Sequence, residues 1–351
     1  MTTHLARFLA RFLARPVGRI RLVIGAALVL GALALTTTPA PAQQPLSVNP
    51  TASSVKEEQL LQQLRQVEGR ISIPDGKAGV LIQPEGRDWR RFHEVTLRWI
   101  GAVSVVGMLV VLVGFYLWRG MVRLQSGYSG RTIMRFNAFE RFVHWTTASC
   151  FIVLALSGLN ITFGKPLLLP LIGPEAFSAW SQWAKYAHNY LSFPFTIGVV
   201  FITLMWIAGN LPNRVDAQWI KEGGGIIDPN KHPPAYRFNA GQKLIYWIVV
   251  LGGTAMAITG YLLMFPFYAT GVEGMQWAQT VHGVVAVLFV AAMLGHIYIG
   301  TIGMEGAFWA MGTGEVDLNW AREHHRLWLE EEMARTGPNE SQRQPGIQPA
   351  E

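Results

Sequence analysis

The sequence predicts an all-α membrane protein, a transmembrane helix bundle with a four-helix core and one extra N-terminal transmembrane helix. Three observations carry that prediction. Five apolar runs, at about 97–118, 144–163, 190–210, 244–265 and 280–302, are long enough to span a bilayer. The segments between them alternate in charge. Residues 119–143 hold Arg119, Arg123, Arg131, Arg135 and Arg141 against Glu140, and 211–243 carries Arg214, Lys221, Lys231, Arg237 and Lys243. By contrast, 266–279 has Glu273 and no Lys or Arg. Finally, 50% of the residues are hydrophobic and only 15% charged, which is not the balance of a soluble domain. Lipid leaves only helices or closed barrels with a satisfied backbone, and runs this continuous make helices.

Residues 1–42 read as a secretory signal peptide. An arginine-rich start ending at Arg19 and Arg21 precedes the apolar "LVIGAALVLGALAL", and Ala40-Pro41-Ala42 offers a small-residue cleavage site. An uncleaved anchor helix is the alternative. Residues 43–94 are polar and Gln-rich, a periplasmic segment with a short amphipathic stretch in "EEQLLQQLRQVEG". The extra transmembrane helix follows at 95–118, the four-helix core at 119–310, and a C-terminal segment at 311–351. In that last segment "WAREHHRLWLEEEMAR" reads as a surface helix, and the tail after about Pro338 as disordered. Basic loops stay in the cytoplasm. An outside N-terminus and five crossings therefore place the C-terminus inside.

Composition excludes several functions. The net charge of +7 comes from loop residues rather than one basic patch, so it marks topology and not nucleic-acid binding. The lone cysteine, Cys150, lies within an apolar run. It rules out an intramolecular disulfide, a Cys-rich metal cluster and thioether haem attachment. Any redox group must be held non-covalently through nitrogen or oxygen.

The chain repeats itself. "RFNAFERFVHW" at 135–145 matches "RFNAGQKLIYW" at 237–247, and the same offset aligns "ALSGL" at 155–159 with "AITGY" at 257–261. The second and third spans then form one unit and the fourth and fifth another, parallel repeats about an axis along the membrane normal. Ser157-Gly158 and Thr259-Gly260 allow close approach of a helix or of a flat ligand.

Histidine in hydrocarbon is costly and points to function. Of nine histidines, His4, His232, His324 and His325 read as solvated surface residues, and His93 as interfacial. The other four sort by depth. His188 and His282 lie at the outer edges of the third and fifth spans, His144 at the inner edge of the second, and His296 deeper in the fifth. His282 and His296 are fourteen residues apart. That spacing comes within ~40° of whole turns and rises ~21 Å, so they share a face across most of the bilayer. Two histidines per level on different helices is what two bis-histidine haems require, each imidazole giving one axial nitrogen. His188 would pair with His282, and His144 with His296, where Tyr246 at the position matching His144 breaks the symmetry. A histidine proton relay and metal transport are the competing readings.

At this point the chain resembles the gamma subunit, the cytochrome b, of membrane-bound formate dehydrogenase. "RFVHW", "FNAGQK" and a last helix running from "VHG" to "GHIY" carry the resemblance, which covers about residues 134–335. It implies a four-helix dihaem cytochrome b core with two haem b groups on His144, His188, His282 and His296. It further implies an iron–sulfur beta subunit, a molybdenum or tungsten catalytic alpha subunit, and a quinone as electron acceptor in the bacterial inner membrane. The quinone would sit by His296, Asn239 and Gly241. From the residues alone, Asn239, which matches Asn137 in the other repeat, reads first as a helix cap. Arg141 and Lys243 suit inner-haem propionates, and positive-inside charge explains them as well. A dihaem cytochrome b serving a nickel–iron hydrogenase or a thiosulfate-type reductase, or a haem-free membrane anchor, remains the alternative.

Overall fold

The computed structural model describes residues 86–228 and 231–340. The expected signal peptide, nearly all of the 43–94 segment and most of the C-terminal tail lie outside the described residues. Five helical spans, Asp88–Arg119, Ala138–Leu167, Leu169–Gly209, Ala240–Met264 and Val272–Gly303, are long and apolar enough to cross a membrane. The principal helices are α1 (Leu97–Arg119), α2 (Ala138–Leu167), α3 (Leu169–Trp206), α4 (Arg214–Lys221), α5 (Ala240–Met264), α6 (Val272–Tyr298), α7 (Leu318–His324) and α8 (Arg326–Glu340). Helices α2, α3, α5 and α6 form the core, and α1 lies against α6, where Leu97 is buried over Gly283.

The helices overshoot the apolar runs. Residues 164–189, expected as a connection, are almost wholly helical, since α2 continues to Leu167 and α3 starts at Leu169 with a break at Gly173 (φ 79, ψ 167). The 38 residues of α3 exceed the ~20 needed for a bilayer. Hydropathy registers only the lipid-facing part of a helix. Pro166 and Pro174 do not terminate these helices, because each falls near an end or a break.

The repeat is visible at the end of the bundle where the arginine-rich segments gather, here the basic end. Asn137 caps α2 and Asn239 caps α5, each in a reciprocal capping box, with Glu140 and Gln242 respectively. Arg135 Nη2 donates to the Arg237 carbonyl at 2.7 Å, and Arg237 Nη2 donates to the Arg135 carbonyl at 2.7 Å. Arg237 also pairs with Glu140 at 2.9 Å, whereas Arg135 meets the neutral Gln242 at 3.4 Å. A two-fold swap of equivalent bonds is the signature of duplicated halves packed about an axis.

The C-terminal segment corrects the expected surface helix. It is strand β2 (Glu315–Asp317), antiparallel to β1 (Thr132–Met134), followed by α7 and α8, which break at His325. Trp320, Ala321, Trp328 and Leu329 are buried, and the Arg135 guanidinium lies 5.0 Å from the Trp320 ring and 5.3 Å from that of Trp328. The surface reading of His324 and His325 is overturned with it. His325 is 1% exposed, donates from Nδ1 to the Tyr236 carbonyl at 2.7 Å and accepts at Nε2 from Arg135 at 3.0 Å. Burial, then the Arg135 charge, holds His325 well below the ordinary histidine range. Burial likewise brings His324 down to about 4 and Arg135 down to about 9. The acids of this segment fasten the preceding loop: Asp317 accepts from Ser129 N and Gly130 N, and Glu323 from Gln125 N and Ser126 N. His232 is exposed, as expected, and His93 is half-buried, stacked on Trp89 at 5.6 Å.

Candidate functional site

The four membrane histidines meet in the two expected pairs. His188 on α3 faces His282 on α6 with ring centroids 6.2 Å apart, and His144 on α2 faces His296 on α6, also at 6.2 Å. Two imidazoles on opposite sides of one metal are separated by two bonds of about 2 Å and two ring radii of about 1.15 Å, roughly 6.3 Å in all. Both gaps have that width. Among the described residues no cluster of three or more His, Cys, Asp or Glu could hold a metal ion. With two protein nitrogens per level, the remaining ligands must come from the bound group itself, as the four nitrogens of a porphyrin do.

The far-end pair, away from the basic end, is oriented by hydroxyls. Ser157 Oγ lies 2.8 Å from His188 Nδ1 and 2.7 Å from the Val153 carbonyl. Thr259 Oγ1 lies 2.9 Å from His282 Nδ1 and 2.7 Å from the Ala255 carbonyl. A hydroxyl has one proton. It is given to the carbonyl one turn back, so the same oxygen must accept from Nδ1–H. Both imidazoles are thereby held as the Nδ1–H tautomer, with the Nε2 lone pair free for a metal. The small residue beside each hydroxyl admits the ring: a Cβ on Gly158 would stand 3.5 Å from His188 Cε1, and one on Gly260 3.3 Å from His282 Cε1. Sequence reading had these positions as close-approach sites. It missed the hydroxyls as histidine acceptors, although their shared offset from one repeat to the other was a signal.

The basic-end pair is built differently. His144 Nδ1 is buried without a hydrogen-bond partner. The repeat supplies no second copy, since Tyr246 stands at the position matching His144 and donates to the Thr203 carbonyl at 3.0 Å. One turn before His144, Arg141 donates from Nη1 to the Gly312 carbonyl at 2.7 Å while its Nε is buried and unpartnered. Lys243 is 5% exposed and committed to Asp216 at 2.8 Å and to the Leu211 carbonyl. It therefore anchors α4, whereas Arg141 keeps a buried Nε with no partner.

Asn239 and Gly241 open α5 at this end. Asn239 Oδ1 accepts from Gln242 N at 2.9 Å, so the oxygen does serve as the cap. A Cβ on Gly241 would come within 3.1 Å of the Trp219 ring, which α4 lays over this turn. Sequence reading gave no signal for Trp219. No hydrogen bond joins Asn239 to His296 among the described residues.

A family model described as "Prokaryotic cytochrome b561" matches residues 135–314, which include all four paired histidines. The chain belongs to the prokaryotic cytochrome b561 family. It is a multi-pass membrane protein, and a cytochrome b implies haem b, which suits paired imidazoles and a chain with a single cysteine. This cytochrome b561 chain is similar to the nitrate-inducible formate dehydrogenase cytochrome b556(Fdn) subunit of Escherichia coli (strain K12), 26% identical over 211 residues, 57% of this chain and 92% of the relative. The formate dehydrogenase cytochrome b556(fdo) subunit of the same organism is 29% identical over 203 residues, 57% of this chain and 93% of the relative. The formate dehydrogenase cytochrome b556 subunit of Haemophilus influenzae is 24% identical over 212 residues, 57% of this chain and 84% of the relative.

Proposed function

We propose that this chain is the membrane cytochrome b subunit of a formate dehydrogenase complex. It takes electrons from an iron–sulfur beta subunit through two b haems to a quinone at the cytoplasmic side, while formate is oxidised on a molybdenum or tungsten alpha subunit. The observation that carries the reading is the pair of 6.2 Å imidazole gaps in a chain similar to cytochrome b556 subunits of formate dehydrogenase. When bound, each haem supplies a one-electron iron couple. His188 and His282 hold one group, and His144 and His296 the other. Ser157 and Thr259 keep the first pair in the metal-binding tautomer, and the unpartnered Arg141 Nε would be available to a propionate of the second.

Formate oxidation to carbon dioxide releases two electrons and one proton, and a quinone takes up two electrons and two protons to become a quinol. Asn239 suits one quinone carbonyl: its oxygen is used by the cap, which leaves the Nδ2 amide to donate. Gly241 lets the Trp219 ring lie close over this turn, and that ring would border the quinone. The basic 119–143 and 211–243 segments support a cytoplasmic position for this end. Electrons moving inward oppose the membrane potential by about 2.3 kcal/mol per charge per 100 mV. Taking the quinol protons from the cytoplasm makes the transfer charge-separating.

In the same reading the protein lies in the bacterial inner membrane after cleavage of residues 1–42. Residues 43–94 are periplasmic, 95–118 form the added helix, 119–310 the haem core, and 311–351 the cytoplasmic end. The test is purification of the chain with its partners from the native membrane. The account expects co-purifying molybdenum or tungsten and iron–sulfur subunits, two haem b per copy, and formate-dependent quinone reduction. A colourless polypeptide refutes the haem assignment, and a hydrogenase or thiosulfate-type reductase partner refutes the formate assignment.

A further inference from the structure

The space between the two histidine levels is filled in a regular way. Phe151 lies seven positions after His144, Phe195 seven after His188, and Phe289 seven after His282 and seven before His296. Seven residues are close to two full turns, about 10.5 Å of rise. Each phenylalanine therefore sits on the histidine face of its helix, at mid-height between the levels. The rings converge there: Phe151 is 4.9 Å from Phe289 and 6.2 Å from Phe195 between centroids. Phe195 and Phe289 are almost fully buried, and Cys150, Val199 and Met293 are buried with them. Leu154, Leu191, Ile245, Ile248, Val249, Met256 and Ala292 pack around this cluster, so all four core helices contribute.

The clustered side chains are apolar, with the sulfur atoms of Cys150, Met256 and Met293 as their weakly polar atoms, and a flanking hydroxyl, Thr147 Oγ1 against Gly198, is spent on the Val143 carbonyl at 2.7 Å. A buried water needs two to four polar partners, and a close-packed apolar layer offers none. A proton crossing it would be stripped of hydrogen bonds at high cost. An electron needs no such partner, only a short packed path.

We propose that Phe151, Phe195 and Phe289 form a water-excluding partition between the two histidine levels, one that passes electrons and blocks protons. The proposal rests on the reading that each level holds a haem. With a haem at each level, one electron would pass from the reduced group to the oxidised one, and no bond to hydrogen would form or break. The two protons needed by the quinone then have to enter from the basic end alone. Without the partition, protons would follow the electrons through the same bundle and cancel the separated charge.

The test uses the whole complex in sealed proteoliposomes without formate. Passive proton entry under a potassium diffusion potential is read with an internal pH dye. Phe289→Ser and Phe151→Asn each open space and add polar partners; they are expected to raise proton entry at least tenfold, with both haems retained in the reduced-minus-oxidised spectrum. Phe289→Leu and Phe151→Leu should stay within twofold of the parent. Wild-type tightness in both polar variants, with both haems present, overturns the partition. If the polar variants fail to assemble, the parent still decides the matter. The midpoint potential of the far-end haem should respond to pH on its own side of the vesicle and not to pH on the basic side; a response to basic-side pH overturns the proposal. A spectrum lacking two haems in the parent overturns the functional reading instead, which the spectrum reports separately from the leak.

Discussion

The two histidine levels have the same 6.2 Å gap and different surroundings. At the far end the site obeys the repeat: two imidazoles, each held at Nδ1 by a hydroxyl from the equivalent position of its own half, Ser157 and Thr259. At the basic end the repeat is broken. His144 has no hydroxyl and Tyr246 replaces its counterpart, while the surrounding arginines, capping asparagines and C-terminal segment crowd together. Under the proposed function, this difference would separate a level that only relays electrons from one that borders a second molecule.

The largest effect should come from removing the shared helix's basic-end ligand. His296→Ala should lower formate-dependent quinone reduction at least 100-fold, measured on membranes with equal amounts of complex, whereas electron entry to the far-end level persists. Wild-type turnover in that variant would break the comparison.

Next in size are the hydroxyls. Outer-shell partners of metal-bound histidines are worth about 10- to 100-fold in metal affinity. Ser157→Ala and Thr259→Ala should each weaken retention of the far-end haem to a similar extent, read as haem loss during dialysis. The basic-end haem should be unaffected by either. Unequal losses from the two variants would show that the repeat is symmetric in sequence only.

The Asp216–Lys243 bridge is buried at the lysine and half-buried at the aspartate, so breaking it costs less than the about 3–5 kcal/mol of a fully buried pair. Asp216→Asn leaves Lys243 without its counter-charge and should release α4 and Trp219 from the Asn239–Gly241 turn. The expected readout is a raised apparent KM for quinone with haem content unchanged.

The smallest effect concerns pH. His324 and His325 are held neutral in the folded cap, their affinity for protons lowered by burial. The unfolded chain binds these protons near pH 6.5, whereas in the folded C-terminal segment burial lowers His324 to about 4 and holds His325 well below the ordinary histidine range. The stabilisation is therefore complete above about pH 6.5 and is lost as pH falls toward 4. Hydrogen exchange of residues 315–335 should accelerate across that window and stay flat above it. Unchanged protection down to pH 4 would show that the buried histidines do not hold the cap.

Much of this was legible in the sequence, for identifiable reasons. Lipid imposes a length and a hydropathy on each crossing, so all five spans could be placed, and the depth of a histidine follows from helix rise. The overshoot of α3 was hidden, because a helix passing Trp180 and Trp183 continues beyond the lipid where hydropathy reports nothing. The roles of Ser157 and Thr259 were hidden because a hydroxyl in an apolar helix normally satisfies itself on the carbonyl one turn back. These do so and accept a second bond as well. The buried C-terminal segment was misread because His324-His325 precede exposed acids, Glu330 and Glu331, and look equally solvated, whereas His325 is buried against Trp320 and Arg135, the latter some 190 residues earlier in the chain. The quinone-facing role of Asn239 stays a proposal, since its cap accounts for the oxygen and leaves only the amide unassigned.

The central claim is that α6 gives one axial ligand to each of two haems. Redox titration of the optical spectrum in His282→Ala and in His296→Ala tests it most directly. The account predicts that each variant loses one of two b-type components, and that the component lost differs between them. Loss of the same component in both, or persistence of both in either, would contradict it.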